Sequence, residues 1–367
     1  MKIICTQENL SRGLQVVSHI ASKNISLPIL NNVLLSAERG MLKLATTNLE
    51  IGIISQVRGK IEAEGSYTVQ AKTFSDYINL LPKENITMEI SGQDLKISCS
   101  KSKTIMKGIP ASEFPIIPEV EAADSYEIKA KTLKDALSSV VFTVALDETR
   151  PEISGVYMDF DNEALTLAAT DSYRLAEKKV KLEKPATTNR QVIVPLRTIQ
   201  ELIRVLGEAV EMVLISCNDN QVLFSIGETR LTSRVIEGQY PDYKQIIPSE
   251  HRTRVMANTP EFITTIKQAS LFCKQGGNDI TLKFDKKNGE IIVSATNIQV
   301  GESEARQSAD IEGDDNSIVL NYRFLLDGLQ NISGDECVLE MTSNVNPGLL
   351  RPEKKGDYVY IIMPIKQ

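Results

Sequence analysis

Three stretches of this 367-residue chain share one pattern: Leu42-Lys-Leu-Ala-Thr-Thr-Asn48, Leu165-Thr-Leu-Ala-Ala-Thr-Asp171 and Ile291-Ile-Val-Ser-Ala-Thr-Asn297. Thr47, Thr170 and Thr296 fall 123 and 126 residues apart, close to a third of the length each time. Solenoid repeats run at roughly 20 to 50 residues, so this period describes whole domains. The chain is therefore expected to fold as three similar domains, with limits at 1–122, 123–250 and 251–367.

The surroundings of each marker repeat as well. About 35 residues earlier comes a segment with apolar residues at helical spacing: Gln7 to Ile20, Lys131 to Val144 and Glu261 to Cys273. A second helical segment follows in every third, at Lys72 to Leu81, Arg197 to Gly207 and Arg323 to Gln330, each after a strand-like run such as Tyr67-Thr-Val69 or Val192-Ile-Val194. Lys72, Arg197 and Arg323 stand in register. Between the helices lie alternating runs that read as antiparallel strands, among them Ile86 to Ile90, Leu95 to Cys99, Met212 to Ser216, Val222 to Ile226, Cys337 to Met341 and Tyr358 to Ile362. Ser91-Gly-Gln93 and Asn218-Asp-Asn220 read as the hairpin turns. Each domain is thus a doubled unit of one helix plus antiparallel strands, which makes the fold class α+β. The first two thirds end alike, in Glu113-Phe-Pro-Ile-Ile-Pro118 and Gln239-Tyr-Pro-Asp-Tyr-Lys-Gln-Ile-Ile-Pro248, tails expected to pack across to the next domain.

Composition narrows the function. With 42% apolar and 24% charged residues the chain reads as globular. No apolar run approaches the ~18 residues of a membrane span, and Met1-Lys2 leads directly into a strand-like segment. Neither a membrane helix nor a signal peptide is expected, and the cytoplasm is the expected location. Five cysteines, Cys5, Cys99, Cys217, Cys273 and Cys337, include no C-x-x-C pair and read as free buried thiols. The only histidines, His19 and His251, are far apart, and the glycines form neither phosphate-binding fingerprint. No metal, no cofactor and no catalytic group is expected. Acidic pairs such as Asp147-Glu148 and Asp314-Asp315 read as solvated turns, leaving a carboxylate enzyme site at a domain junction as an alternative.

The charge is unevenly spread. The net charge is −7, yet the six helical segments, taken with their flanks to Lys23 and Lys274, carry ten Lys/Arg against six Asp/Glu. Helices gathered on one surface would give an acidic protein a basic stripe, the footprint of nucleic-acid binding. A repeat protein with no nucleic-acid role, in which lysine and arginine simply suit helices, is the other alternative.

The threefold repeat, Ala169-Thr-Asp-Ser-Tyr-Arg-Leu-Ala176, Leu27-Pro-Ile-Leu30, Tyr240-Pro-Asp-Tyr243 and Tyr358-Val-Tyr-Ile-Ile-Met-Pro-Ile365 together resemble the bacterial DNA polymerase III beta subunit family, the sliding clamps. The resemblance covers essentially the whole chain. It implies a head-to-tail homodimeric ring, helices inside and sheets outside, that encircles double-stranded DNA and tethers the replicative polymerase, the clamp loader and other replication or repair proteins. It further implies a DNA-facing set of Arg12, Lys23, Lys72, Arg197 and Arg323, with Arg150 near the rim. A partner-peptide pocket would comprise Ile153, Thr170, Tyr173, Arg174, Leu175, Pro241 and Ile246 on one side, and Phe324, Val345, Ile361, Met363, Pro364 and Ile365 on the other. Thr104 and Met106 are placed against Leu271 and Phe272 of a second copy. The chain departs from the commoner family pattern at Ser172 and Tyr173, where Gly and His are frequent, at Gln245 in place of Arg, and at Lys366-Gln367 in place of Arg-Leu.

Overall fold

The computed structural model describes residues 1–21, 26–120, 125–147, 149–186, 188–207, 212–274, 277–354 and 356–366. Among them are six α-helices: α1 (Gln7–Val17), α2 (Ala71–Leu80), α3 (Ala130–Val141), α4 (Leu196–Val205), α5 (Thr259–Ser270) and α6 (Tyr322–Gln330). These are the six segments the apolar spacing marked; α1 starts where expected, the other five start one or two residues earlier, and most are shorter at the end. Three starts are capped by side chains, where Thr6, Asn258 and Asn321 accept backbone N–H bonds from Asn9, Glu261 and Arg323. Two helices sit unusually close to their sheets. A Cβ on Gly13 of α1 would lie 2.6 Å from Val57 Cγ2, and one on Gly328 of α6 would lie 2.3 Å from Tyr360 Cε1, which is why the helix cost of glycine is accepted there.

The chain packs as two compact units, Met1–Lys134 with Leu182–Ile236, and Asp135–Lys181 with Glu237–Gln367. These units cut across the sequence thirds, for a reason visible in the strands. In the first unit, Ile51–Arg58 of the first repeat pairs antiparallel with Thr229–Arg234 of the second, Ile53 opposite Leu231. That junction makes one 13-stranded sheet. In the second unit, Arg174–Lys181 pairs with Tyr358–Ile362 in the same way, Leu175 opposite Ile361. A four-stranded sheet, in the order Gly301–Ser308, Glu290–Asn297, Asp279–Asp285, Asn316–Asn321, completes it. Backbone hydrogen bonds thus cross each repeat boundary, and packing follows the bonds, not the sequence period. The expected hairpins form at both predicted turns.

The first aromatic-proline tail divides between its own repeat and the next. Phe114 does not cross to the next repeat; it joins Ile29, Leu30 and Ala45 in the core of its own. Tyr240 likewise stacks on Tyr157, ring centroids 4.8 Å apart. Only the residues after the aromatic, Pro115 to Pro118, run onto the seam with Thr232–Arg234 of the second repeat.

A second tie in the first unit joins α4 to α1. Arg204 donates to the carbonyls of Gln15 (3.0 Å) and Val16 (2.6 Å), in a last turn that has no basic residue of its own, a favourable placement for a cation. Its Nε holds Glu201 at 2.9 Å, and the other oxygen of this buried carboxylate meets His19. Arg204→Ala removes the arginine partner of Glu201 and strips two carbonyls. A loss of about 2 kcal/mol in denaturant unfolding is expected; a variant within about 0.5 kcal/mol of the parent would show the tie to be inert.

Four of the five free cysteines are buried and Cys273 is half-buried. Burial pushes the Cys5 thiol up to about 12 and Cys337 up to about 11, from an ordinary value of 9.0. Thiolate is the reactive form, so iodoacetamide at pH 8 should label the native protein at Cys273 alone, and slowly, by peptide mass spectrometry. The sign for stability follows. Unfolded thiols ionise above about 9 while Cys5 and Cys337 stay protonated, so stability is lost as pH rises beyond that value.

Candidate functional site

The repeated marker is a turn built from side-chain hydrogen bonds. At the end of strand Ala164–Thr170, Asp171 Oδ1 accepts from the N–H groups of Tyr173 and Arg174, both at 3.0 Å. Thr170 Oγ1 donates to the Arg174 carbonyl at 2.7 Å and accepts from the Ser172 N–H. Ser172 then sits in the left-handed region, φ +76°. The turn delivers Tyr173 outward, 65% exposed, and Arg174 inward.

Arg174 organises the site. Its Nε bonds Asp171 at 2.9 Å, one terminal nitrogen bonds Asp327 at 2.6 Å and the other the Phe142 carbonyl at 2.9 Å. The guanidinium plane lies 4.4 Å from the centre of the Phe324 ring, a cation–π contact. With its nitrogens so engaged, this group is a scaffold and not an anion receptor.

The neighbouring strands supply an apolar floor. Leu175 and Ile361 stand opposite one another and are buried, as is Ile153. The Met363 N–H donates to the Tyr173 carbonyl at 2.9 Å, and Ile365 N–H to the Val319 carbonyl at 2.9 Å, so the C-terminal segment with Pro364 is fastened at two points. Met363 itself remains 37% exposed, and Val345, on the turn before strand Gly348–Pro352, is exposed. After Pro241, the 3-10 turn Tyr243–Ile246 is held by an aromatic cluster. Tyr243 lies edge-on to Tyr157 and Tyr240 and donates to Glu177 Oε2 at 2.6 Å. Burial raises the Tyr157 hydroxyl to about 12 and moves Tyr243 upward too, helped by Glu177, so both stay protonated and able to donate at neutral pH. Ile246 is left exposed.

Among the predicted pocket residues, Ile153, Leu175 and Ile361 are buried and Arg174 is half-buried, whereas Tyr173, Ile246, Val345 and Met363 expose apolar side chains. Such a surface suits a peptide's aliphatic or aromatic side chains. Among the described residues no three His, Cys, Asp or Glu come together to hold a metal ion.

The basic candidates sit elsewhere. Lys72, Arg197 and Arg323 are each the second residue of their helix and exposed. Lys131, the second residue of α3, shares that position, and its place at the start of a helical run is readable in the sequence although the family resemblance does not single it out. A cation in a first turn opposes the helix dipole, at a cost of about 0.3–1 kcal/mol. None of α2, α3, α4 and α6 has an acidic residue there, while α1 and α5 have Glu8 and Glu261. Four helices thus carry a charge that works against their own stability. Arg12 is exposed midway along α1. Arg150 differs, being tied to Glu152 at 3.1 Å and to Ser172 Oγ at 2.8 Å, on the pocket turn. Lys23 and Gln367 lie outside the described residues.

Thr104 and Met106 are half-buried on strand Ser102–Ile109, which pairs along one side with Asp94–Cys99 but meets Thr68 and Val69 on the other only through Ile109 and Gly108. Leu271, just past α5, is 75% exposed and so does not cover its own sheet; Phe272 is half-buried.

Comparison with known proteins covers the whole chain. Family models match residues 1–118 (DNA polymerase III beta subunit, N-terminal domain), 127–242 (central domain) and 244–366 (C-terminal domain). A beta sliding clamp of Synechococcus elongatus is 30% identical over 374 residues, covering 100% of this chain and 99% of the relative. That of Bacillus subtilis is 30% identical and covers 100% of both chains. Among solved structures, a DnaN sliding clamp from Pseudomonas aeruginosa bound to griselimycin aligns with a TM-score of 0.96 at 25% identity over 100% of both chains. The Bacillus subtilis clamp structure aligns with 0.95 at 29% identity, covering 100% of this chain and 99% of its own. With the repeat, the shared fold and full-length matches in agreement, the chain belongs to the DNA polymerase III beta subunit family, the beta sliding clamps.

Proposed function

We propose that two copies of the chain close head to tail into a ring around duplex DNA, and that the ring tethers the replicative polymerase, the clamp loader and other replication or repair proteins through the Arg174 pocket. It acts as a processivity factor without chemistry of its own, in the cytoplasm; no helix among the described residues is long and apolar enough to cross a membrane. The three domains are taken as 1–122, 123–250 and 251–367. The observation that carries the reading is the set of cations at the starts of α2, α3, α4 and α6, placed against their helix dipoles in a protein of net charge −7. Phosphate contacts hold no sequence information, so a lining of Arg12, Lys23, Lys72, Arg197 and Arg323, with Lys131 and with Arg150 near the rim, permits sliding.

Closure of the ring is supported by two half-open strand edges. Ser102–Ile109 carries Lys103 and Lys107, and Gly301–Ser308, at the end of its sheet, carries Glu302 and Glu304 against one Arg306, a net charge of −1. Edges of opposite charge favour pairing between copies over pairing with themselves.

The test is topological. Affinity for a short linear duplex should be weak and fall steeply with salt. Protein loaded on a nicked circle should persist at salt that abolishes direct contacts, and should leave once the circle is linearised. Retention unchanged by linearisation would mean groove binding and no encirclement.

A further inference from the structure

The internal repeat places a second cleft where the first unit has its own copy of the pocket architecture. Counting back 123 residues, Thr170 to Leu175 correspond to Thr47 to Gly52, and the bonding is the same. Thr47 Oγ1 donates to the Ile51 carbonyl at 2.9 Å and accepts from the Leu49 N–H at 3.0 Å, while Asn48 Oδ1 accepts from Glu50 and Ile51. Gly52 lies opposite Thr232 across the repeat boundary, as Leu175 lies opposite Ile361. The tail Pro115-Ile-Ile-Pro118 takes the place of the segment after Pro241. Together these enclose a cleft of about 340 Å³ lined by Leu49, Gly52, Ile116, Ile117, Thr232 and Arg234 among others.

Two features mark the cleft as more than a leftover of duplication. Leu49 occupies the left-handed position, φ +78°, where a serine stands in the second repeat. A non-glycine residue there is strained, yet this leucine is 49% exposed, so burial does not repay the strain. Ile116 is 92% exposed, while its neighbour Ile117 is seated over Gly52, where a Cβ would come within 2.6 Å of it. Two apolar side chains are therefore held out at the cleft by a constrained turn and a proline-flanked strap. The differences from the Arg174 site are chemical. Ile51 replaces the arginine, and the apolar Leu49 and Ile116 share the cleft with polar Glu50, Gln221, Thr232 and Arg234.

We infer that this cleft is a second docking site, for an extended peptide with spaced aliphatic side chains, weaker than the Arg174 pocket. The occupant is assigned through the repeat, so the inference rests on the partner-pocket reading. A clamp with two such sites per chain could hold one partner at two points, which raises avidity without new chemistry.

The experiment titrates the full chain with a fluorescein-labelled peptide, Gln-Leu-Ala-Leu-Ala-Leu, by calorimetry and anisotropy. One variant carries Tyr173→Asp and Met363→Asp, a second carries Leu49→Asp and Ile116→Asp, and a third carries all four. All four side chains are substantially exposed, and aspartate tolerates the left-handed position of Leu49, so unchanged melting temperatures are expected. Wild type should bind two peptides per chain with affinities about tenfold or more apart. The first variant should keep the weaker site, the second the tighter one, and the third neither. One peptide per chain in wild type, lost entirely in the first variant, overturns the second site and leaves the pocket standing. Weak binding that survives in the third variant also overturns it. Tight binding unmoved by the first variant sinks the pocket reading itself, and this inference with it.

Discussion

Replacing Leu271 and Phe272 by alanine is expected to turn the proposed dimer into folded monomers at low micromolar concentration. Leu271 is 75% exposed in the isolated chain, and Ile298 and Val300, at the turn that follows strand Glu290–Asn297, are exposed as well. Apolar side chains so placed contribute little to their own domain and much to an interface. Truncation of an interface anchor typically costs about 2 kcal/mol, and two together would raise the dissociation constant by roughly a thousandfold. The monomer's own stability should change little through Leu271 and by about 1 kcal/mol through the half-buried Phe272. Sedimentation at several concentrations, with thermal melting of the same samples, separates the two effects. A double variant that stays dimeric at low micromolar concentration places the interface elsewhere.

Arg174→Ala should be the most damaging single change in the pocket. It strands the Asp171 and Asp327 carboxylates and the Phe142 carbonyl, and removes the cation from the Phe324 ring. Breaking a buried ion pair costs about 3–5 kcal/mol; Asp327 is partly solvated, so a loss near 3 kcal/mol is expected, with peptide affinity down at least about tenfold. Arg174→Lys restores the charge but not the fork, and should recover only part of either quantity. Removing Met363 to Gln367 works differently. It deletes the bonds to the Tyr173 and Val319 carbonyls, so it should lower stability by about 1–3 kcal/mol in addition to costing about 2 kcal/mol of peptide affinity. The tail is both anchor and contact surface. Unchanged peptide affinity in a folded truncation would refute the pocket.

Much of the secondary structure could be read directly because it is local. Six helices announced themselves by apolar spacing, and the Asn218-Asp-Asn220 and Ser91-Gly-Gln93 turns by residue type. The marker Ala-Thr-Asn/Asp was visible only as a repeat; that it is a turn in which Thr47 or Thr170 and the following Asn or Asp bond the backbone became clear from geometry. Within the proposed pocket, nothing local separates buried Leu175 and Ile361 from exposed Tyr173 and Met363. Strand alternation gives a face, and which face is covered depends on what packs on it.

The sequence by itself determined the number of repeats, the helices, the register of Lys72, Arg197 and Arg323, and the two hairpin turns, since each rests on a local pattern or on its recurrence. Tertiary structure alone decided that packing joins strands of successive repeats into two units and that Arg174 meets Asp327 from 153 positions away. It also divided the first tail, turning Phe114 into its own core while Pro115 to Pro118 run onto the next repeat. These are long-range pairings, set by which surfaces remain open once the local elements have formed, and no short-range pattern encodes that choice.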